Sequence, residues 1–410
     1  MRIAVFHNLP SGGAKRAMIE MLRQLRQAGH VVEVFIPSTA DEHFLPSSAV
    51  ANRVTVLPAK GWRGFGDGSR AQRLAAVPTY VAARRDAERV QLAAAQAIDH
   101  GDYDVAFVHH DRQTQSPSVL RYLDTPSVYF CQEPLRSVYE AELRPGGLLD
   151  RASLFSPLLG IARLDRQNAR AAGQLLANSF YSRESILRAY GLDATVVYLG
   201  VDTEVFRPSR EPKEEYVLSV GTLHYPKGHR LAVEAIGRIP NARRPPLRII
   251  GDKIVGREEA LLRALAARHD VALQIQIGAT QDELVRAYQR ARLLVFAPHL
   301  EPFGLVAIEA AACATPVVGV REAGLRESII EGATGILVDN RDAAVLADAI
   351  DELLGDSTRL AALAGSALET VRSQWTWSRT GAHLEAVLLE VSGPSRADSG
   401  LAAATQVAKA

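Results

Sequence analysis

Glu301 and Glu309 stand in EPFGLVAIEAAACATP (residues 301–316), a stretch that is otherwise small and mostly apolar. A carboxylate in such surroundings costs free energy to desolvate unless something meets it. The sequence predicts a strand end at FAP, a loop at HLEPFG and a helix over LVAIEAAACA, stopped by Thr315-Pro316. Glu301 then lies in the loop, and Glu309 about one and a half turns inside the helix. The amides of Phe303, Gly304 and Leu305 form the open start of that helix. Two carboxylates beside free amides suit a ligand with hydroxyls on both sides of a phosphate. Carboxylates accept from sugar and ribose hydroxyls in charge-assisted bonds, and amides hold phosphate oxygens. The structural alternative, acids that cap a helix start, covers Glu301 but leaves Glu309 unexplained.

Other segments carry phosphate chemistry more weakly. In SGGAKR, Gly12 and Gly13 follow a predicted strand and open a helix, so their amides can approach a phosphate. Alone, a glycine pair is more often only a turn, and the spacing is neither G-x-G-x-x-G nor a P-loop. In VGTLHYPKGHR (220–230), Lys227 follows a strand and a short loop and precedes a helical run. A cation there is mildly disfavoured by the helix dipole, which favours a diphosphate-neutralising role over a plain surface lysine. Asp102-Tyr103-Asp104 has the look of a metal motif but sits before a strand, where turn acids are common.

The elements that must position these residues alternate along the chain. RIAVFHN (2–8), VVEVFI (31–36), VTVLP (54–58), DVAFVHH (104–110), SVYFC (127–131), QLLANS (174–179) and TVVYLG (195–200) read as strands separated by helical stretches. VDTEVFRPSREPKEE (201–215) marks a linker, and the pattern restarts with YVLSVG, LRIIGD, ALQIQIG, RLLVFAP, TPVVGV and ILVD. This predicts two Rossmann-like halves, each a parallel sheet covered by helices. Ligands of such sheets bind at the carboxyl ends of the strands, so the cleft between the halves is the expected site.

With 410 residues, 47% hydrophobic and 23% charged, the chain has ample core for two domains. A net charge of +1 gives no global sign of a nucleic-acid binder. Two cysteines, Cys131 and Cys313, lie in apolar runs, which excludes a disulfide scaffold. No secretory pattern opens the chain and no run of about 18 apolar residues occurs, so a cytoplasmic protein is expected. The helical stretch 70–98 sets Arg70, Arg73, Arg84, Arg85 and Arg89 among apolar residues. That pattern reads first as a solvated face and second as a peripheral contact with anionic lipid. The segment after about residue 393 reads as disordered.

EPFGLVAIEAAACATPVVG, with VREAGLRESI and GATGILVD after it, resembles the donor-site signature of the retaining glycosyltransferases of family 4. SGGAKR, ANSFYSRESI, VVYLGVDTEVFRP and VGTLHYPKGH resemble further segments of that family, so the likeness runs from about residue 2 to 390. The resemblance implies an α/β protein of GT-B fold, two Rossmann-like domains facing each other across a cleft. The domains would span 1–205 (acceptor) and 206–374 (nucleotide-sugar donor), with 375–392 a helix crossing back to the first and 393–410 a tail. It implies that Glu301 contacts the transferred sugar, Glu309 the ribose hydroxyls, and Lys227 the diphosphate. Gly12 and Gly13 would close on the donor, His109 would face its sugar, and the main chain at Ile277 would face the nucleobase. On sequence alone, His109 would be a satisfied polar residue at a strand end.

The implied reaction moves a hexose from a nucleotide diphosphate sugar (a UDP- or GDP-hexose) to an acceptor hydroxyl of a glycan, lipid or small molecule, with retention. Lys227 and the helix amides would stabilise the leaving diphosphate, so neither metal nor other cofactor is expected. The acceptor would meet the first domain through Arg16, Gln132, Glu133 and Arg136, three of them in FCQEPLRSVYE. One position departs from the family: its diphosphate loop carries arginine after the glycine, and here Thr222 stands there. Arg16, Lys253 or Arg321 are candidates to compensate. Thr222 also motivates an alternative, a relative that binds nucleotide sugar without efficient transfer; a sugar-nucleotide epimerase is the third reading.

Overall fold

Runs of Val, Ile, Leu and Phe make strands buried on both faces, and this chain assembles two sheets of them. The computed structural model describes residues 1–43, 45–61, 77–140 and 155–393. It divides into two units: Met1–Asn178, Ser182–Val197 and the chain from Gly381 onward form the first, and Ser179–Tyr181 with Tyr198–Thr380 form the second.

The first unit is built on β1 (Arg2–Asn8), β2 (Val31–Pro37), β3 (Arg53–Leu57), β4 (Val105–Asp111), β5 (Ser127–Phe130), β6 (Gln174–Ala177) and β7 (Thr195–Val196). All pair in parallel in the order β3-β2-β1-β4-β5-β6-β7. Its helices are α1 (Gly13–Gln27), α2 (Val77–Asp99), α3 (Arg136–Tyr139), α4 (Phe155–Ala169) and most of α5 (Phe180–Tyr190). On α1, Ala17, Met18, Met21, Leu22 and Leu25 are buried at helical spacing. The predicted strand over 195–200 shortens to two residues because the chain passes into the second unit at Tyr198. That crossing precedes the proline-marked stretch 201–215.

The second unit carries β8 (Val217–Val220), β9 (Leu247–Gly251), β10 (Leu273–Ile277), β11 (Leu293–Phe296), β12 (Val317–Val320) and β13 (Gly335–Val338), parallel in the order β10-β9-β8-β11-β12-β13. Helices α6 (His229–Arg238), α7 (Glu258–Arg268), α8 (Gln281–Arg290), α9 (Leu305–Ala312), α10 (Leu325–Ser328), α11 (Ala343–Gly355) and α12 (Ser357–Gln374) follow in chain order. α13 (Trp377–Ser392) begins there and continues in the first unit, where Glu385 meets His30 Nε2 at 2.7 Å and Leu384 and Leu388 are fully buried.

The two sheets share one plan. In each, the order reverses beside the first strand, between β1 and β4 and between β8 and β11. The carboxyl side of that reversal is the ligand crevice of a doubly wound sheet.

Local features settle smaller points. Asp102 takes a left-handed φ of 50° and Asp104 accepts the Arg2 amide at 2.7 Å, so these acids shape a turn. On α2, Arg89 donates to Asp86 Oδ1 at 2.9 Å and to the Pro58 carbonyl. Arg70, Arg73 and the tail from residue 394 lie outside the described residues. Among the described residues, no helix is long and apolar enough to cross a membrane.

Candidate active site

Lys227 ends a single 3-10 turn (Tyr225–Lys227) after β8, and Glu301 lies in the loop after β11, so both stand at the sheet reversal. Lys227 Nζ donates to Glu301 Oε2 at 2.8 Å. Their side chains are 33% and 16% exposed, so the pair contributes at most about 1 kcal/mol to stability. An ammonium this exposed can take up a second anion.

The backbone around the pair is pinned from several sides. The His299 amide donates to the Pro226 carbonyl at 2.7 Å, which ties the glutamate loop to the lysine turn. Arg341 Nη1 donates to the carbonyls of Ala297 (3.1 Å) and Pro298 (2.8 Å). The Gly324 amide donates to the Glu301 carbonyl at 2.9 Å, and Ser179 Oγ to the Pro302 carbonyl at 2.6 Å. Phe303 is buried against Tyr198 and Trp375, with ring centroids 5.9 and 5.5 Å away.

Gly304 starts α9 with φ 102°, and a Cβ there would meet Leu325 Cδ2 at 2.8 Å and Ser328 Oγ at 2.9 Å. Among the described residues, none accepts from the amides of Phe303, Gly304 or Leu305. These are the open donors of a helix start. Glu309, further along α9, is only 6% exposed, and its Oε2 accepts the Tyr288 hydroxyl at 2.9 Å.

The glycine loop after β8 is set by His229. Its Nε2 donates to the Gly221 carbonyl at 3.2 Å while its Nδ1 accepts from Ser219 Oγ at 2.9 Å. Gly221 has φ 148°. Thr222 Oγ1 donates to Asp252 Oδ1 at 2.6 Å. Ile277 is 39% exposed at the end of β10, followed by Gly278 at φ 70°. Of the compensating cations, Arg321 is engaged with Glu331 (2.8 Å) and Asp339 (2.7 Å), whereas the Lys253 side chain is exposed.

In the first unit, Gly12 (φ 139°) and Gly13 open α1 at the end of β1. The neighbouring Lys15 is fully buried and turned inward onto Glu42 Oε1 at 2.7 Å. His109 sits near the end of β4, fully buried between Phe107 and Phe130 with centroids 4.5 and 5.6 Å away. Neither of its ring nitrogens has a hydrogen-bond partner among the described residues. Burial, then the nearby His7 and His110, push its pKa well below the usual value, so it is a neutral imidazole. Gln132 is buried and its Nε2 donates to the Ala14 carbonyl at 3.4 Å, bracing the first turn of α1. Arg136 pairs with Glu140 at 2.7 Å and Glu133 at 3.7 Å, and Arg16 is half-buried on α1.

Comparison with known proteins gives the family. Residues 201–368 match the group called glycosyl transferases group 1, and residues 11–205 match glycosyltransferase family 4. A D-inositol 3-phosphate glycosyltransferase of Frankia alni is 30% identical over 396 residues, covering 90% of this chain and 92% of that protein. The chain belongs to the group 1 (family 4) glycosyltransferases. The enzyme of the same description from Acidothermus cellulolyticus is 33% identical over a shorter stretch, spanning about half of each protein (50% and 51%). Among solved structures, sucrose-phosphate synthase of Thermosynechococcus elongatus is similar with a TM-score of 0.70 at 20% identity, covering 94% of this chain and 98% of that one. Anabaena HepE in complex with UDP and glucose gives 0.70 at 18%, with the same coverage. These likenesses show the GT-B fold.

In this glycosyltransferase several site-building residues carry no motif signal of their own. His229 follows Gly228 inside a helical run, and Arg341 and Tyr288 reach the site only through tertiary contacts. His229 also predicts an acid response. Burial lowers its pKa from 6.5 to about 4, so between those values the unfolded chain binds more protons than the folded one. Stability from this group is therefore present above pH 6.5 and lost as pH falls towards 4, by roughly 3 kcal/mol. Denaturant melts at stepped pH, compared with His229→Gln, measure its share: the variant should show a shallower acid slope.

Proposed function

We propose that the chain transfers a hexose, with retention, from a UDP- or GDP-hexose to an acceptor hydroxyl. The observation that carries this reading is the Lys227–Glu301 pair at the sheet reversal, beside the open amides of α9. Lys227 and those amides hold the diphosphate and stabilise charge that grows on it as the glycosidic bond breaks. Glu301 faces the sugar near the reacting carbon, and Glu309 accepts from ribose hydroxyls. The leaving phosphate takes the acceptor proton on the same face of the sugar, so no second carboxylate nucleophile is called for. The neutral imidazole of His109, without a hydrogen-bond partner among the described residues, fits a group that hydrogen-bonds a sugar hydroxyl. The charge supplied by Lys227 and the amides makes a metal ion unnecessary in this reading.

The test is a thermal-shift panel of UDP-, GDP- and ADP-sugars, since a ligand that binds only the folded state raises its stability. At least one donor should raise the melting point of the wild type, and Glu309→Ala should cut that nucleotide's affinity by at least tenfold. No shift with any donor would defeat the reading. A second reading, binding without efficient transfer, is favoured by one contact: Thr222 hydrogen-bonds Asp252 where the family carries a cation. Nucleotide binding with no turnover over a broad acceptor panel would establish it. Sugar-modified product formed without acceptor would point instead to an epimerase.

A further inference from the structure

The buried face of Glu309 meets Tyr288, which is hydrogen-bonded at both its backbone and its hydroxyl in a way the proposed reaction does not use. Lys213 Nζ donates to Thr315 Oγ1 at 2.6 Å, and that hydroxyl donates to the Tyr288 carbonyl at 2.6 Å. At the other end of the residue, the Tyr288 hydroxyl donates to Glu309 Oε2 at 2.9 Å. Thr315 receives from Lys213, and its one proton faces the Tyr288 carbonyl at 2.6 Å, with the Cys313 carbonyl further off at 3.5 Å. Tyr288 and Thr315 are both fully buried, and Tyr288 packs edge-on against Phe206 at 6.1 Å between centroids. The carbonyl of Tyr288 lies in the last turn of α8, where helical acceptors lack internal donors, so Thr315 also caps that end.

A glutamate has three rotatable side-chain bonds, and a ligand contact loses affinity if its carboxylate must be ordered on binding. We infer that Tyr288, seated by Thr315 and Lys213, is a positioning residue that presets the Glu309 carboxylate for the hydroxyl pair of the bound nucleotide. This rests on Glu309 being the ribose-binding group. The lysine fits its place: it is half-buried beside Cys313, desolvation lowers its pKa to about 8, and it lies at the carboxyl end of α9, where a cation is favoured.

The experiment is a double-mutant cycle read by calorimetry with UDP and GDP. Tyr288→Phe keeps the ring and removes only the hydroxyl. It should weaken the nucleotide that binds wild type about five- to tenfold, with kcat changed by less than twofold, because ordering Glu309 serves ground state and transition state alike. In the Glu309→Ala background the same change should have no further effect, which a general packing defect would not reproduce. Thr315→Val should weaken binding in the same direction and Thr315→Ser should restore it, which keeps the test open if Tyr288→Phe folds poorly. Unchanged affinity in Tyr288→Phe, or effects that add in the double mutant, would overturn the inference while leaving the nucleotide site intact. Equal affinity of wild type and Glu309→Ala would instead remove the ribose-binding reading on which it stands.

Discussion

Glu301→Ala should lower kcat by two to three orders of magnitude while nucleotide affinity changes by less than about threefold. The split follows from where the carboxylate sits. It reaches Lys227 Nζ at 2.8 Å from a loop whose backbone is held by Gly324, Ser179 and Arg341 rather than by its own side chain. Removing it therefore leaves the loop in place and leaves Lys227 and the α9 amides to bind phosphate. In the proposed reaction, what disappears is charge beside the reacting carbon, which matters most when the sugar becomes positive; one preorganised electrostatic group of this kind is worth about 10²–10³ in kcat. Glu301→Gln keeps a hydrogen-bond acceptor for Lys227 and removes the charge, so it should fall nearly as far. The measurements are initial rates with the donor chosen by thermal shift, a calorimetric Kd for its nucleotide, and a melting curve. A variant that turns over normally would dismiss the role of Glu301, and one that loses nucleotide affinity in proportion to rate would make it a binding group.

The sheet and the two acids were legible in the sequence for a shared reason: each is a local pattern. A strand buried on both faces is written as a continuous apolar run, so β1, β4, β9 and β12 stand where their Val and Ile runs place them. A carboxylate in an Ala-rich helix is equally visible. Partners are a different matter, because they depend on which distant segments meet. Nothing near Glu309 in sequence announces Tyr288, 21 positions away, or Lys213 beyond it. Lys15 illustrates the converse. It stands in the glycine loop SGGAKR, and only the fold shows its ammonium turned inward to Glu42. The same limit applies to Thr222. Its type marks a missing cation, whereas its hydrogen bond to Asp252 is a property of the folded loop.

Gly228→Ala should be the most damaging single-methyl change in the second unit, lowering its stability by about 4 kcal/mol or more. Gly228 takes φ 77°, a conformation that costs an L-residue about 1 kcal/mol in itself. Steric overlap costs more. An added Cβ would lie 1.8 Å from the Ala297 carbonyl oxygen and 2.4 Å from its carbon, and both are backbone atoms. Arg341 Nη1 holds that same carbonyl at 3.1 Å, and the His299 amide binds Pro226 beside it, so neither strand end can yield alone. Relief requires the lysine turn to move off the glutamate loop, which also draws Lys227 away from Glu301. Gly256→Ala is the matched control. Its φ of 60° carries the same kind of backbone cost, but nothing lies within 4 Å of the added methyl, so about 1 kcal/mol is expected. Thermal melts of the two variants separate backbone strain from overlap: a fall of about 10 °C for Gly228→Ala against roughly 2–4 °C for Gly256→Ala. Equal falls would mean that backbone conformation alone sets the requirement for glycine. In that case the close approach of the Lys227 and Glu301 loops would not be what holds the pair together.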